Sequence, residues 1–284
     1  MIAVVGGTGR LGRLVVQQLR RQGEQVLVVA RRRPAPVDST ADCTDQGIRH
    51  VAADVRDVAS LHAAMDGVSV CVSAVHGMAP SGDGSPTSVD WLGNRNLVDA
   101  AAVAGAAVVM LSVVGAGPDS PMELFRMKWR AEEHLRASGV PWTVVRATAF
   151  AELWAEILRS TASRSGRVQV FGRGENPINF VCVSDVATGV VHAVTDPALR
   201  GQVLTVTGPE NLTFNEFAAR LGEGPPPRHV PRAALRAMAV VARPVRPGLA
   251  RSARTALVMD TTDMVVDTAP GHTPYPWLPS TKIG

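Results

Sequence analysis

Four glycines crowd the start of the chain, in the run Gly6-Gly7-Thr8-Gly9-Arg10-Leu11-Gly12. Ahead of them Ile2 to Val5 is a short apolar run, of the kind that forms a strand buried on both faces. Behind them Leu11, Leu14, Val15 and Leu19 recur at helical spacing until Gly23. A strand, a glycine turn and a helix in that order can build a phosphate site. Gly6 permits the tight turn, Gly9 lets backbone amides approach a pyrophosphate, and Gly12 lets the helix pack closely. The first turn of the helix aims free N–H groups and its positive dipole end at the same point. Gly6, Gly7, Thr8, Gly9, Arg10, Leu11 and Gly12 are therefore expected to hold a dinucleotide.

The end of the next β-branched run, Gln25 to Ala30, refines that expectation. A fold that prefers NAD places an acid near here, about 20 residues past the glycine loop, to bond the ribose 2′-hydroxyl. This chain has Arg31-Arg32-Arg33 instead, and guanidinium groups suit a 2′-phosphate through paired, charge-assisted bonds. Arg31 and Arg32 thus predict NADP(H). Asp54, at the end of a third strand over His50 to Asp54, either bonds the adenine amino group or turns the chain toward a helix capped by Asp57.

These residues need a frame to position them. Apolar runs at Val68 to Val75, Ala106 to Leu111 and Trp142 to Val145 alternate with helical stretches over Asp90 to Ala104 and Met122 to Ser138. Strands alternating with helices of this length predict a Rossmann-type, doubly wound parallel sheet. Residues 1–150 form its dinucleotide-binding core. Residues 151–284, with a helix over 150–164, short strands at 168–171 and 179–183, a helix from Val186, a strand at Val203 to Val206 and a helix over Arg232 to Arg243, are expected as a smaller lobe that covers the substrate. Pro225-Pro226-Pro227 and Pro244 to Pro247 break up that last part.

Bulk properties bound the function. A chain of 284 residues with 46% hydrophobic and 19% charged residues has material for a core. No apolar run approaches the ~20 residues of a membrane span, and a strand at the very start leaves no room for a leader. Cys43, Cys71 and Cys182 are isolated and lack metal spacing, so no metal and a reduced, cytoplasmic setting are expected. The formal charge is +4, but the arginines are scattered, which fits a solvated surface and not a nucleic-acid footprint.

Several stretches together resemble the atypical, NmrA-like branch of the short-chain dehydrogenase/reductase superfamily. They are the glycine run, the basic end of the second strand, Asp54-Val55-Arg56-Asp57, Asp90 to Asn96, Ser112, Lys128-Trp129-Arg130-Ala131-Glu132 and Ser138 to Arg146. The similarity spans residues 2 to about 207. It implies that Asp54, Val55, Ala74, Val75, His76, Lys128 and Thr148 also lie against the cofactor, and that the second half lines the substrate pocket. Ser112 and Lys128 would be catalytic, and Ser112, Val114, Phe150 and Trp154 would face an aromatic small molecule.

One departure matters. Reductases of this superfamily carry a tyrosine four residues before the lysine as general acid; here that position is Leu124, and the single tyrosine is Tyr275. A carbonyl reduction would then take its proton from water, from Lys128, or from a phenol on the substrate, whose pKa near 10 matches tyrosine's. The resemblance points to an NADPH-dependent ketoreductase of antibiotic-type aromatic polyketides, angucyclinones such as that of simocyclinone among them. A redox sensor that binds NADP(H) without turnover and acts through a protein partner is the alternative. Isomerisation or epimerisation with retained cofactor would also need the missing tyrosine.

Overall fold

The computed structural model describes residues 1–31, 48–78, 84–222, 226–268 and 275–283. β1 (Ile2–Val5), β2 (Val26–Ala30), β3 (Ile48–Ala52), β4 (Val70–Ser73), β5 (Ala107–Val113) and β6 (Trp142–Ala147) are strands of one sheet. Beyond them lie β7 (Ala149–Phe150), β8 (Gln169–Phe171), β9 (Ile178–Val181), β10 (Gln202–Val206), β11 (Asn211–Leu212) and β12 (Arg228–Val230). The central sheet has seven strands in the order β3-β2-β1-β4-β5-β6-β10, and all its pairings are parallel. This is the doubly wound Rossmann-type α/β fold.

Helices sandwich the sheet because β-strand side chains alternate between faces. Ile2 and Val4 join α1 (Arg10–Arg21) in one apolar layer, whereas Ala3 and Val5 join the opposite layer. That second layer also takes α2 (Val58–Ala64), α3 (Leu92–Ala104) and α4 (Glu123–Ala137). A third core gathers around Phe180, Phe214 and Phe217. It draws on α5 (Ala151–Ser165), α7 (Phe214–Arg220) and α9 (Pro247–Met259), while α6 (Val183–Thr195) lies on the first layer and α8 (Arg232–Val241) packs against α9. Met122, from the first half of the chain, belongs to the same cluster. Among the described residues no helix is long and apolar enough to cross a membrane.

The structure departs from the sequence pattern in identifiable places. β10 is not an appendage: it pairs with β6 from Gln202↔Thr143 to Val206↔Ala147 and closes the sheet, so both sides of position 150 build the core. The expected helix from Asp90 begins earlier, as a π-helical turn over Pro86–Trp91 whose start is capped by Ser85, before α3 takes over. α6 starts at Val183, and Cys182 is its N-cap residue instead of a strand residue. β3 sits two residues before its expected place. Pro247 opens a helix instead of ending one, at a position where its missing N–H costs nothing.

Gly12 fixes how close α1 comes to the turn before it. A Cβ there would lie 2.2 Å from the Gly6 carbonyl oxygen and 2.7 Å from the Gly7 Cα. Since backbone atoms cannot step aside, Gly12→Ala should destabilise the fold by about 1–3 kcal/mol. Urea unfolding of the variant checks this; a midpoint equal to the parent's would contradict the tight contact.

Candidate functional site

The glycine turn at the end of β1 is built to take an anion. Gly6 has φ +85°, and a Cβ on it would lie 2.7 Å from the Ala74 carbonyl oxygen. α1 starts at Arg10 with no side-chain cap and no acid in its first turn. Arg13 is the first residue of α1 whose N–H meets a main-chain carbonyl, that of Gly9 at 3.0 Å. The amides of the first turn are left to a ligand, as a dinucleotide pyrophosphate requires. Gly9 keeps the approach open, since a Cβ there would meet only the Gly6 oxygen, at 3.1 Å. The Arg10 side chain turns away and pairs with Glu156 of α5, beside an open groove of about 700 Å3 lined also by Cys182 and Lys282.

Arg31 is exposed at the end of β2; Arg32 lies outside the described residues. Asp54 is held by Arg56, whose Nη2 donates to Oδ2 at 2.6 Å and whose Nε and backbone N–H donate to Oδ1 at 3.0 and 2.9 Å. Bonding to Arg56, with Arg31's charge assisting, lowers the Asp54 pKa. Val55 is buried against Gly93.

At the other side of the crevice, where β4 and β5 end, Lys128 is 2% exposed. Its Nζ donates to the Val75 carbonyl at 3.2 Å and the Leu111 carbonyl at 3.0 Å, and lies 3.1 Å from Asp90 Oδ1. Asp90 is fully buried, and its Oδ2 accepts the Gly77 amide at 2.9 Å. Asn94 donates to the Asp90 carbonyl at 2.8 Å and receives Ser73 Oγ at 2.5 Å. The loop after β4, the π-helical turn and α4 are thus pinned together beneath the crevice. His76 follows Val75 with an open ring edge, and its Nδ1 is 4.0 Å from Asp90 Oδ1. Desolvation lowers the His76 pKa, Asp90 opposes this and Lys128 adds to it, so the ring is neutral near pH 7.

Ser112 is placed differently from the expectation that it meets a substrate oxygen. It is 1% exposed, and its Oγ donates to Glu132 Oε1 at 2.5 Å. Glu132 in turn receives Arg146 Nη2 at 2.6 Å and Arg136 Nη2 at 2.8 Å. Ser112 therefore ties β5 to α4. Thr148 Oγ1 donates to Asn179 Oδ1 at 2.8 Å, and the Val114 amide donates to the Ala147 carbonyl at 2.9 Å. Phe150 packs on the first layer, and Trp154 meets Phe214 edge-on at 4.9 Å; both are half-buried. Burial pushes the Cys71 thiol up to about 12, and burial with Glu152 and Asp185 pushes Cys182 to about 11, so neither is a thiolate nucleophile.

Asp90, Asn94 and Glu132 were not legible as site residues from spacing alone, because their partners lie on other elements. Leu124, one turn before Lys128, lines a cavity of about 120 Å3 with Met78, Met122 and Val258. Among the described residues no cluster of His, Cys, Asp and Glu could hold a metal. Removing one member of a buried ion pair leaves a bare charge inside the protein. Asp90→Ala should cost about 3–5 kcal/mol in urea unfolding, and adding Lys128→Met should recover much of it. Equal losses in the single and double variants would contradict the pairing.

Comparison with known proteins matches this geometry. Residues 6–197 fit the family model described as NAD(P)H-binding. An NAD(P)H azoreductase from Xenophilus azovorans is 30% identical over 237 residues, covering 81% of this chain and 76% of that protein. A (4-alkanoyl-5-oxo-2,5-dihydrofuran-3-yl)methyl phosphate reductase from Streptomyces griseus is 33% identical over 226 residues, covering 78% and 72%. An NADPH-dependent quinone oxidoreductase from Escherichia coli, solved with NADPH, superposes with a TM-score of 0.73 at 22% identity over 95% of this chain and 92% of that one. The family match covers more than half of the chain, and the protein belongs to the NAD(P)H-binding family of the NmrA-like, atypical short-chain dehydrogenase/reductase superfamily.

Proposed function

We propose that the chain is an NADPH-dependent reductase that delivers hydride to a carbonyl of an aromatic small molecule, an aromatic polyketide ketone or a quinone, without a protein acid at the usual place. The observation that carries this is the pairing of Lys128 with Leu124. Lys128 is buried where β4 and β5 end, and Leu124, one turn before it and lining a cavity, has no proton to give. Relatives named as an azoreductase, a furanone phosphate reductase and a quinone reductase support a reductase acting on small unsaturated molecules.

Bound NADPH supplies the hydride; the chain's own work is to bind, orient and hold charge. The open first turn of α1 takes the pyrophosphate, and Arg31, with Arg32, favours the 2′-phosphate. The Lys128 ammonium donates to the Val75 and Leu111 carbonyls and is ion-paired with Asp90 at 3.1 Å. Those contacts anchor the Lys128 side chain to the backbone beyond β4 and in β5. Ser112, committed to Glu132, is not the proton source. The proton reaches the developing alkoxide from a neighbouring phenol on the substrate, whose acidity is like tyrosine's, and geometry supplies the remaining acceleration.

Consumption of NADPH at 340 nm, with NADH as control, tests this on hydroxyquinones and hydroxyaryl ketones and their O-methyl ethers. Turnover is expected with NADPH, falling at least about tenfold when the neighbouring phenol is methylated, within the range one proton donor contributes. Equal rates for phenol and ether would overturn the substrate-supplied proton. Tight NADPH binding with no turnover across the panel would overturn the reductase and favour a sensor.

A further inference from the structure

The cavity beside Leu124 has an uneven charge. Its apolar lining is Met78, Met122, Leu124 and Val258, and three arginines, Arg126, Arg251 and Arg254, stand around it. Arg251, Arg254, Thr255 and Val258 follow the i, i+3, i+4, i+7 spacing that sets one face of α9 toward the start of α4. Each guanidinium is oriented by a backbone carbonyl: Arg126 by Ser120 at 2.5 Å, Arg251 by Gly84 at 3.1 Å and Arg254 by Ala239 at 3.3 Å. Among the described residues none of the three forms an ion pair. Glu123 is the single acid in the lining, and its Oε1 accepts from Thr87 at 3.2 Å. From Pro226 to Met259 the chain carries seven arginines and no acid, so α8 and α9 bring no countercharge of their own.

Three guanidinium groups against one carboxylate leave the cavity wall with a net charge of about +2. Arginine binds sulfonate, carboxylate and phosphate oxygens with paired, charge-assisted N–H donors. Methionine thioethers accept aromatic rings, and about 120 Å3 approaches the roughly 150 Å3 that holds a benzene ring. We propose that this cavity binds an aromatic ring bearing an anionic substituent, the ring against Met78, Met122 and Leu124 and the anion on Arg126, Arg251 and Arg254. This rests on the reductase reading above for what happens to the ring. The binding preference, however, follows from the cavity alone.

The test is calorimetric titration of the NADPH-saturated protein with benzenesulfonate and with uncharged phenol. The sulfonate is expected to bind on the order of tenfold more tightly, with the advantage shrinking as salt is raised. Arg254→Gln should remove most of the advantage, and Arg254→Lys, which keeps the charge, should retain part of it. Equal affinity for the two ligands in the parent protein overturns the proposal. So does an unchanged sulfonate-to-phenol ratio in Arg254→Gln and Arg126→Gln variants with the parent's circular dichroism. NADPH consumption with neutral 1,4-naphthoquinone is measured alongside. Its absence counts against the reductase, while the affinity ratio still decides the anion site.

Discussion

A lysine ammonium that is 2% exposed is tolerable inside a protein only when its charge is paired, since an unpaired buried charge costs several kcal/mol. Asp90 meets the charge at 3.1 Å, and the Val75 and Leu111 carbonyls accept two of the N–H bonds. Those partners belong to the π-helical turn and to the ends of β4 and β5, so one ion pair ties three elements to α4. It does so on the carboxyl side of the sheet, beside the point where the strand order turns from β1 to β4, which is where open α/β sheets bind ligands. The glycine turn approaches from the other side, its Gly6 closed against the Ala74 carbonyl. Crevice floor and phosphate turn therefore share one rigid strand end.

What the sequence made legible was mostly local. Gly6 and Gly12 could be read because a positive φ and a 2.2 Å approach each exclude a side chain at a single position. The buried strands of the first half could be read because apolar runs in a parallel sheet are continuous. Asp90 and Glu132 could not, since a buried carboxylate looks like any other acid until its partners on distant elements are known. The orientation of Ser112 did have a signal. Val108 and Met110 share its face of β5 and are buried in the layer under α4, and strand alternation sends Ser112 the same way.

In the second half the gaps have different causes. The Val203 to Val206 run has the right composition for a strand, but which sheet it joins depends on pairing with β6, about 60 residues earlier. α7 carried a readable start in Thr213 and Glu216, a reciprocal capping box, yet it is only 7 residues long. α9 hides behind a proline that marks a beginning, and with it the arginine-lined wall beside Leu124. Resemblance to a family gave the cofactor correctly and left the substrate open.

The most direct measurement of the central claim is isotopic. The protein is incubated with an aromatic hydroxyketone and NADPH carrying deuterium at one face of nicotinamide C4 and then, separately, at the other; the alcohol is analysed by mass spectrometry. A held cofactor and a positioned carbonyl predict one additional mass unit at the carbinol carbon with one isotopomer and none with the other. Bound NADPH with no deuterium in the ketone or its products from either isotopomer would contradict the account.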